Sequence, residues 1–182
     1  FGNSSLFSNL TGSSNVSIGN QSLYSNTTGA NNVAMGYQCL YSNIASYNTA
    51  IGYASLYDNT TGIDNVGVGW YSLTDNTTGS SNTGIGSQSG KSNTTGNNNT
   101  NIGFKAGYSN ATGSGNVFLG YKAGFNETGS NKLYIANGTA DDSRLIYGDF
   151  SSGNMTIGNG SGTIDFRAGT VNTSRLMVNN RQ

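Results

Sequence analysis

The sequence has no histidine, no proline and a single cysteine, and charged residues make up only 9% of its 182 positions. Each shortage excludes a chemistry. Without histidine there is no serine–histidine–aspartate relay and no imidazole metal ligand. Cys39 has no intrachain partner for a disulfide and no imidazole to activate it as a nucleophile. Eight basic residues balance eight acidic ones, so no net field steers nucleic acid or anionic lipid to the chain. No apolar run approaches the roughly 20 residues that span a bilayer, which argues against membrane insertion by this segment. No signal peptide is visible. Gly67-Val68-Gly69 is not a nucleotide fingerprint, because no helical pattern follows it to hold a phosphate. No pair of carboxylates points to hydrolysis. The reading is a protein that is not an enzyme, with no catalytic, cofactor or metal residues.

What the sequence does have is a period. Ile18-Gly19, Met35-Gly36, Ile51-Gly52, Val68-Gly69, Ile85-Gly86, Ile102-Gly103 and Leu119-Gly120 follow one another at intervals of 17, 16, 17, 17, 17 and 17 residues. A short fixed period marks each repeat as one coil of a stack rather than part of a globular core. It also argues against disorder, which the 28 glycines and low charge would otherwise allow. Phe1-Gly2 lies 17 residues before Ile18-Gly19, so the sequence opens inside a repeat and is expected to be a fragment of a longer fibre.

Within one repeat, Thr49-Ala50-Ile51 alternates, placing 49 and 51 on one face and Ala50 on the other. The pairs Val16/Ile18, Val33/Met35, Val66/Val68 and Val117/Leu119 repeat this pattern and suit a short strand. The glycine that follows permits positive φ and ends it. A leucine column comes next (Leu6, Leu23, Leu40, Leu56, Leu73), expected to weaken to Ser89, Ala106 and Ala123. Asn-Thr-Thr-Gly turns, as at 26–29, 59–62, 76–79 and 93–96, complete the coil. Two short strands and two turns per coil make an all-β parallel solenoid. Its seven coils, about 4.8 Å apart, would span roughly 34 Å. The expected core is the aliphatic pair plus the leucine. The small residue between the pair (Ser17, Ala34, Ala50, Gly67, Gly84) is expected to face outward and let another chain approach, since so thin a core needs neighbours. Asparagines (Asn15, Asn32, Asn48, Asn65, Asn82, Asn99, Asn116) form one ladder and the strand-ending glycines another.

The repeat holds over residues 1–129 as seven to eight coils. Residues 130–182 carry nine of the sixteen charges and further strand candidates at 133–135, 144–147, 155–157, 163–166 and 176–178, read as a β-rich transition or capping region.

The Asn-x-Ala-Ile-Gly signature, carried by 15–19, 32–36, 48–52, 65–69, 82–86, 99–103 and 116–120, resembles the head repeat of trimeric autotransporter adhesins, the YadA-like left-handed β-roll. That resemblance covers about two thirds of the chain. It implies left-handed winding, a homotrimer about one axis, and an extracellular location. The Leu-Tyr-x-Asn-Thr-Thr-Gly arm makes these repeats longer than the family's common ones, and the family's neck, stalk and anchor lie outside this sequence. The stretches 131–137 and 145–151 resemble segments that follow such repeats in bacteriophage tail fibres and Bacteroidetes-type surface proteins, often ahead of a self-cleaving chaperone domain. The owner is therefore a bacterial cell surface or a virion. The resemblance implies an adhesin module for host glycans or proteins; the alternatives are a tail-fibre spacer shaft and a self-assembling filament subunit.

Several columns bear on binding. Tyr37, Tyr53, Trp70, Phe104 and Tyr121 follow the strand glycine, and Phe7, Tyr24, Tyr41 and Tyr57 form a second aromatic column. Such rings either offer a platform to a sugar's C–H face or stack on one another as a ladder. If sugar binds, Trp70, Tyr53, Tyr71 and Tyr37 are the expected contacts. Sequons at Asn26, Asn59, Asn76, Asn93, Asn110 and Asn126 either carry glycans or are by-products of the turn sequence. The threonine columns lack the flat Thr-x-Thr face of an ice-binding solenoid. Asp58, Asp64 and Asp75 do not recur in every coil as a calcium-binding repeat would require, and read as solvated turn charges, as does Asp141-Asp142. Cys39 occupies a serine column with Ser22, Ser55 and Ser72.

Overall fold

A computed structural model describes residues 1–139 and 144–158. Asp141-Asp142 and the strand candidates at 163–166 and 176–178 lie outside the described residues. Among those described there is no helix, and hence none long and apolar enough to cross a membrane. The chain is an all-β solenoid of about seven turns. Strands β1 (Val16–Ile18), β2 (Val33–Met35), β3 (Thr49–Ile51), β4 (Val66–Val68), β5 (Thr83–Ile85), β6 (Thr100–Ile102) and β7 (Val117–Leu119) lie one per coil. Each pairs in parallel with its copy in the next coil, in the register that the Ile-Gly period dictates: Ile18 opposite Met35, Met35 opposite Ile51, Ile51 opposite Val68.

The sheet continues beyond the repeats. β8 (Lys132–Ala136) pairs in parallel with β7, then β9 (Arg144–Asp149) and β10 (Asn154–Ile157) add antiparallel strands. All ten form one sheet in sequence order. The change in direction has a local cause. Seven residues separate β8 from β9 and four separate β9 from β10, too few for another coil of about 17. Lys132 Nζ donates to Asp149 Oδ2 at 2.6 Å across the β8–β9 pair. That contact raises the lysine's pKa and lowers the carboxylate's.

The faces of the strands are the reverse of the sequence reading. The middle residue of each three-residue strand points inward: Ser17, Ala34, Ala50, Gly67, Gly84, Asn101 and Phe118 are all buried. The flanking pair points out: Val16, Ile18, Met35, Ile51, Ile85 and Leu119 are 38–44% exposed, and the other flanking residues are half-buried. The interior is too thin for two aliphatic side chains. A Cβ on Gly67 would lie 2.5 Å from Ser55 Oγ and 3.2 Å from Leu56 Cγ. The leucine already fills that space.

The leucine column also continues differently. Leu56 N–H donates to Ser72 O, Leu73 to Ser89 O, Gly90 to Ala106 O and Gly107 to Ala123 O. The column therefore runs Leu56, Leu73, Gly90, Gly107, while Ser89, Ala106 and Ala123 extend the serine column of Ser55 and Ser72. Where leucine gives way to glycine, the strand's middle residue grows. Asn101 and Phe118 take the room that Gly90, Gly107 and Gly124 vacate: a Cβ on Gly124 would lie 2.5 Å from the Phe118 ring. The core thus has two apolar stretches, one around Leu23, Leu40, Leu56 and Leu73, the other around Ala106, Phe118 and Ala123.

The arm after each strand is not a second strand. It alternates through left-handed geometry, with φ of 55° at Gln21 and 49° at Leu23, and of 52° at Tyr71 and 49° at Leu73. Left-handed geometry costs a non-glycine residue about 1–2 kcal/mol, a cost that burial of the leucine offsets. Its N–H groups still donate to the next coil, as Leu23 does to Cys39 O at 3.0 Å.

Two buried asparagine ladders tie the turns together. In the first, each Oδ1 accepts the backbone N–H of the next rung's asparagine, or of Lys132 at the last rung, and each Nδ2 donates to a carbonyl of the next turn. Asn65 accepts from Asn82 N at 3.0 Å and donates to Gly79 O at 2.8 Å. In the second, side-chain amides bond to one another, as Asn76 Nδ2 does to Asn59 Oδ1 at 2.7 Å. This ladder was not singled out from the sequence.

Candidate functional site

The strand glycine sets where the aromatic side chains emerge. Gly52, at φ +128°, reverses the chain after Ile51 and turns Tyr53 to the surface, and Gly36 and Gly69 do the same for Tyr37 and Trp70. The structure brings the four expected glycan contacts together. Tyr37 and Tyr53 stack with centroids 5.0 Å apart, Tyr71 meets Tyr53 edge-on at 5.3 Å, and Trp70 meets Tyr71 edge-on at 4.6 Å. The Tyr71 hydroxyl beside Tyr53 holds the Tyr53 phenol above its ordinary pKa. Trp70 is 49% exposed and, among the described residues, has no parallel ring on either face. A saccharide does not fit between rings 5.0 Å apart, so it would lie across the ring edges and on the indole.

The second column is a ladder. Phe7, Tyr24, Tyr41 and Tyr57 stack in sequence at 5.3, 5.1 and 5.0 Å, within 9° of parallel. It stops at Thr74, which is buried and donates its hydroxyl to Ala54 O at 2.9 Å. It resumes with Tyr108 and Phe125, stacked at 5.0 Å. The sequence reading missed this pair, although their offset from the strand is the same as Tyr41's. Lys105 and Lys122 lie between the two aromatic columns in the last coils.

The other candidates resolve into structure. The amides of Asn26, Asn59, Asn76, Asn93 and Asn110 are buried, and each donates to a turn carbonyl. They are closed to glycosylation in the folded chain, while Asn126 is exposed. Asp58 and Asp64 are exposed. Burial of part of its carboxyl and the neighbouring Asp75 raise the pKa of Asp58, against the opposing pull of Lys91. Asp75 pairs with Lys91 at 3.2 Å. No cluster of three or more histidine, cysteine, aspartate or glutamate side chains gathers among the described residues. At the end of the repeats, Glu127 accepts the Tyr134 hydroxyl at 2.7 Å and the N–H groups of Thr128 and Gly129. Burial and this contact push the Tyr134 phenol far up.

Cys39 sits in the serine column as expected, fully buried, its thiol donating to Gly52 O at 2.9 Å. Burial pushes its pKa up to about 11. Alkylation of the folded chain at neutral pH should run roughly a hundredfold slower than that of the unfolded chain, since only the thiolate reacts. Equal rates in native buffer and in denaturant would contradict the burial.

The chain matches no family model, no curated protein and no solved structure.

Proposed function

We propose that the chain is a non-enzymatic module of an extracellular surface fibre, on a bacterial cell or a virion. In this reading three copies, each wound left-handed, pack side by side and present a repetitive surface to host glycans or proteins. The observation that carries it is the outward face of the sheet. Ile18, Met35, Ile51, Val68, Ile85, Ile102 and Leu119 line up coil on coil, with a valine or a threonine two residues before each. In register with them, Leu133/Ile135, Ile146 and Met155/Ile157 carry the apolar strip across β8 to β10. A monomer rarely leaves so long an apolar strip in water. A self-complementary face of this kind is covered by copies of itself. The number three rests on the likeness of the Asn-x-Ala-Ile-Gly signature to YadA-like heads.

Sedimentation equilibrium tests the assembly. The expected mass is three times 18.8 kDa, falling to one chain when Ile51→Glu and Ile85→Glu are combined. A monomer at micromolar concentration would overturn it. Binding is tested separately on a glycan array. A signal lost in Trp70→Ala supports adhesion through the Tyr37–Tyr53–Tyr71–Trp70 surface, with trimerisation multiplying weak contacts into avidity. The spacer-shaft reading is favoured by the parallel stacking of Phe7, Tyr24, Tyr41 and Tyr57, whose faces cover one another. It predicts an empty array and an unchanged trimer.

A further inference from the structure

Charge is sorted along the stack. Residues 1–90 contain Asp58, Asp64 and Asp75 and no basic side chain, whereas residues 91–126 contain Lys91, Lys105 and Lys122 and no acidic one. Lys91 is paired with Asp75. Among the described residues, neither Lys105 nor Lys122 forms a salt bridge. Both belong to the left-handed column, with φ of 54° and 55°, and their backbones are fixed: Lys105 N–H donates to Ser87 O at 3.0 Å and Lys122 N–H to Phe104 O at 2.8 Å.

That geometry sets each ammonium between two rings. Lys105 Nζ lies 5.3 Å from the centroids of both Phe104 and Tyr108. Lys122 Nζ lies 5.1 Å from Tyr121 and 5.9 Å from Phe125. The rings of the two rows stack, Phe104 on Tyr121 at 5.6 Å and Tyr108 on Phe125 at 5.0 Å. One ring–lysine–ring row therefore repeats directly above another, at the strand spacing of about 4.8 Å.

We propose that Phe104, Lys105, Tyr108, Tyr121, Lys122 and Phe125 form a binding site for an acidic polysaccharide. The carboxylate or sulfate groups would pair with the two ammoniums while the C–H edges of the sugar lie along the flanking rings. The repeat of the surface matches a polymer whose anionic groups recur along its length. Single-stranded nucleic acid is the less favoured ligand, because its affinity comes from many phosphate contacts and this surface offers two unpaired cations on a chain of zero net charge. The site is separate from the Trp70 surface and does not depend on it.

The test is surface-plasmon binding of the full chain to immobilised polygalacturonate, dextran sulfate, uncharged dextran and single-stranded DNA, at low and high salt. The acidic polysaccharides should bind, the uncharged dextran should not, and salt should weaken the complex. Combining Lys105→Gln with Lys122→Gln should reduce affinity roughly fivefold to tenfold, from two exposed ion pairs, with sedimentation unchanged. Tyr121→Ala should weaken binding as well, and Trp70→Ala should leave it intact. No retention of either acidic polysaccharide would overturn the proposal. So would retention indifferent to the double lysine variant, or DNA bound as tightly as the acidic polysaccharides. Loss of binding in Trp70→Ala would assign the signal to the other surface.

Discussion

Gly69→Ala should lower the stability of the chain by about 3–5 kcal/mol, making it one of the most damaging single-methyl additions available. Two costs coincide at this residue. Its φ of +137° is a conformation that side-chain-bearing residues rarely adopt, and the added Cβ would sit 2.5 Å from the carbonyl oxygen of Gly86 in the next coil. That oxygen is backbone, so no rotamer change relieves the contact. Relief needs coils to separate, and separation lengthens the parallel β4–β5 pairing on which the stack depends. In a stack each coil is stabilised mainly by its neighbours, so a fault at the fourth strand weakens the coils on both sides. Gly153→Ala separates the two costs: φ there is +71°, but nothing lies within 4 Å of the new atom, and the loss should be about 1 kcal/mol. Urea unfolding of both variants against the parent measures the difference. Equal midpoints for Gly69→Ala and the parent would show that the coils are not in contact along the glycine column.

The glycine column also shows how far the sequence could be read. A residue that must be glycine every 16 or 17 positions, directly after an aliphatic one, fixes the stacking and the register at once. Ile51 lies beside Val68 for that reason. The strand facing was not fixed in the same way. Alternation in Thr49-Ala50-Ile51 says that 49 and 51 share a face and leaves open which face is inside. Hydrophobicity then misleads, because the apolar pair faces out and the alanine faces in. The compensating signal was present: where Leu73 gives way to Gly90 and Gly107, the strand interior changes from Gly84 to Asn101 and Phe118. Such a trade in volume occurs only between side chains that share one cavity. Of the proposed binding surfaces, the Tyr37–Trp70 group was legible because aromatic residues recur at one offset. The lysines were not, since a cation between two rings depends on left-handed geometry at Lys105 and Lys122, which residue type does not announce.

Asn65→Asp should be nearly harmless in acid and strongly destabilising at neutral pH. The wild-type amide is fully buried and uses both of its ends. Nδ2 donates to Gly79 O at 2.8 Å, while Oδ1 accepts the N–H of Asn82 at 3.0 Å and its side-chain amide at 3.2 Å. A protonated carboxyl reproduces both roles, its O–H donating to Gly79. An ionised one turns an oxygen toward the Gly79 carbonyl with no proton between them, in a site without solvent. Burial and the lost donor both disfavour the charged form, so the introduced carboxyl titrates in the folded chain well above its unfolded value of about 3.9. The sign follows from that direction. Below the unfolded pKa both states bind the proton, and the variant keeps its stability relative to the parent. As pH rises, the unfolded chain releases the proton first. Relative stability then falls by about 1.4 kcal/mol per pH unit until the folded pKa is passed. A rise of three units would cost about 4 kcal/mol at neutral pH. Asn65→Ala lacks both groups at every pH and should lose about 2–4 kcal/mol throughout. Thermal unfolding of the two variants and the parent across the acid-to-neutral range separates them, because effects of the native carboxylates, including Asp149 beside Lys132, cancel against the parent. A flat difference for Asn65→Asp would mean that the ladder position is reached by water, and the dry asparagine interior that holds one coil on the next would have to be abandoned.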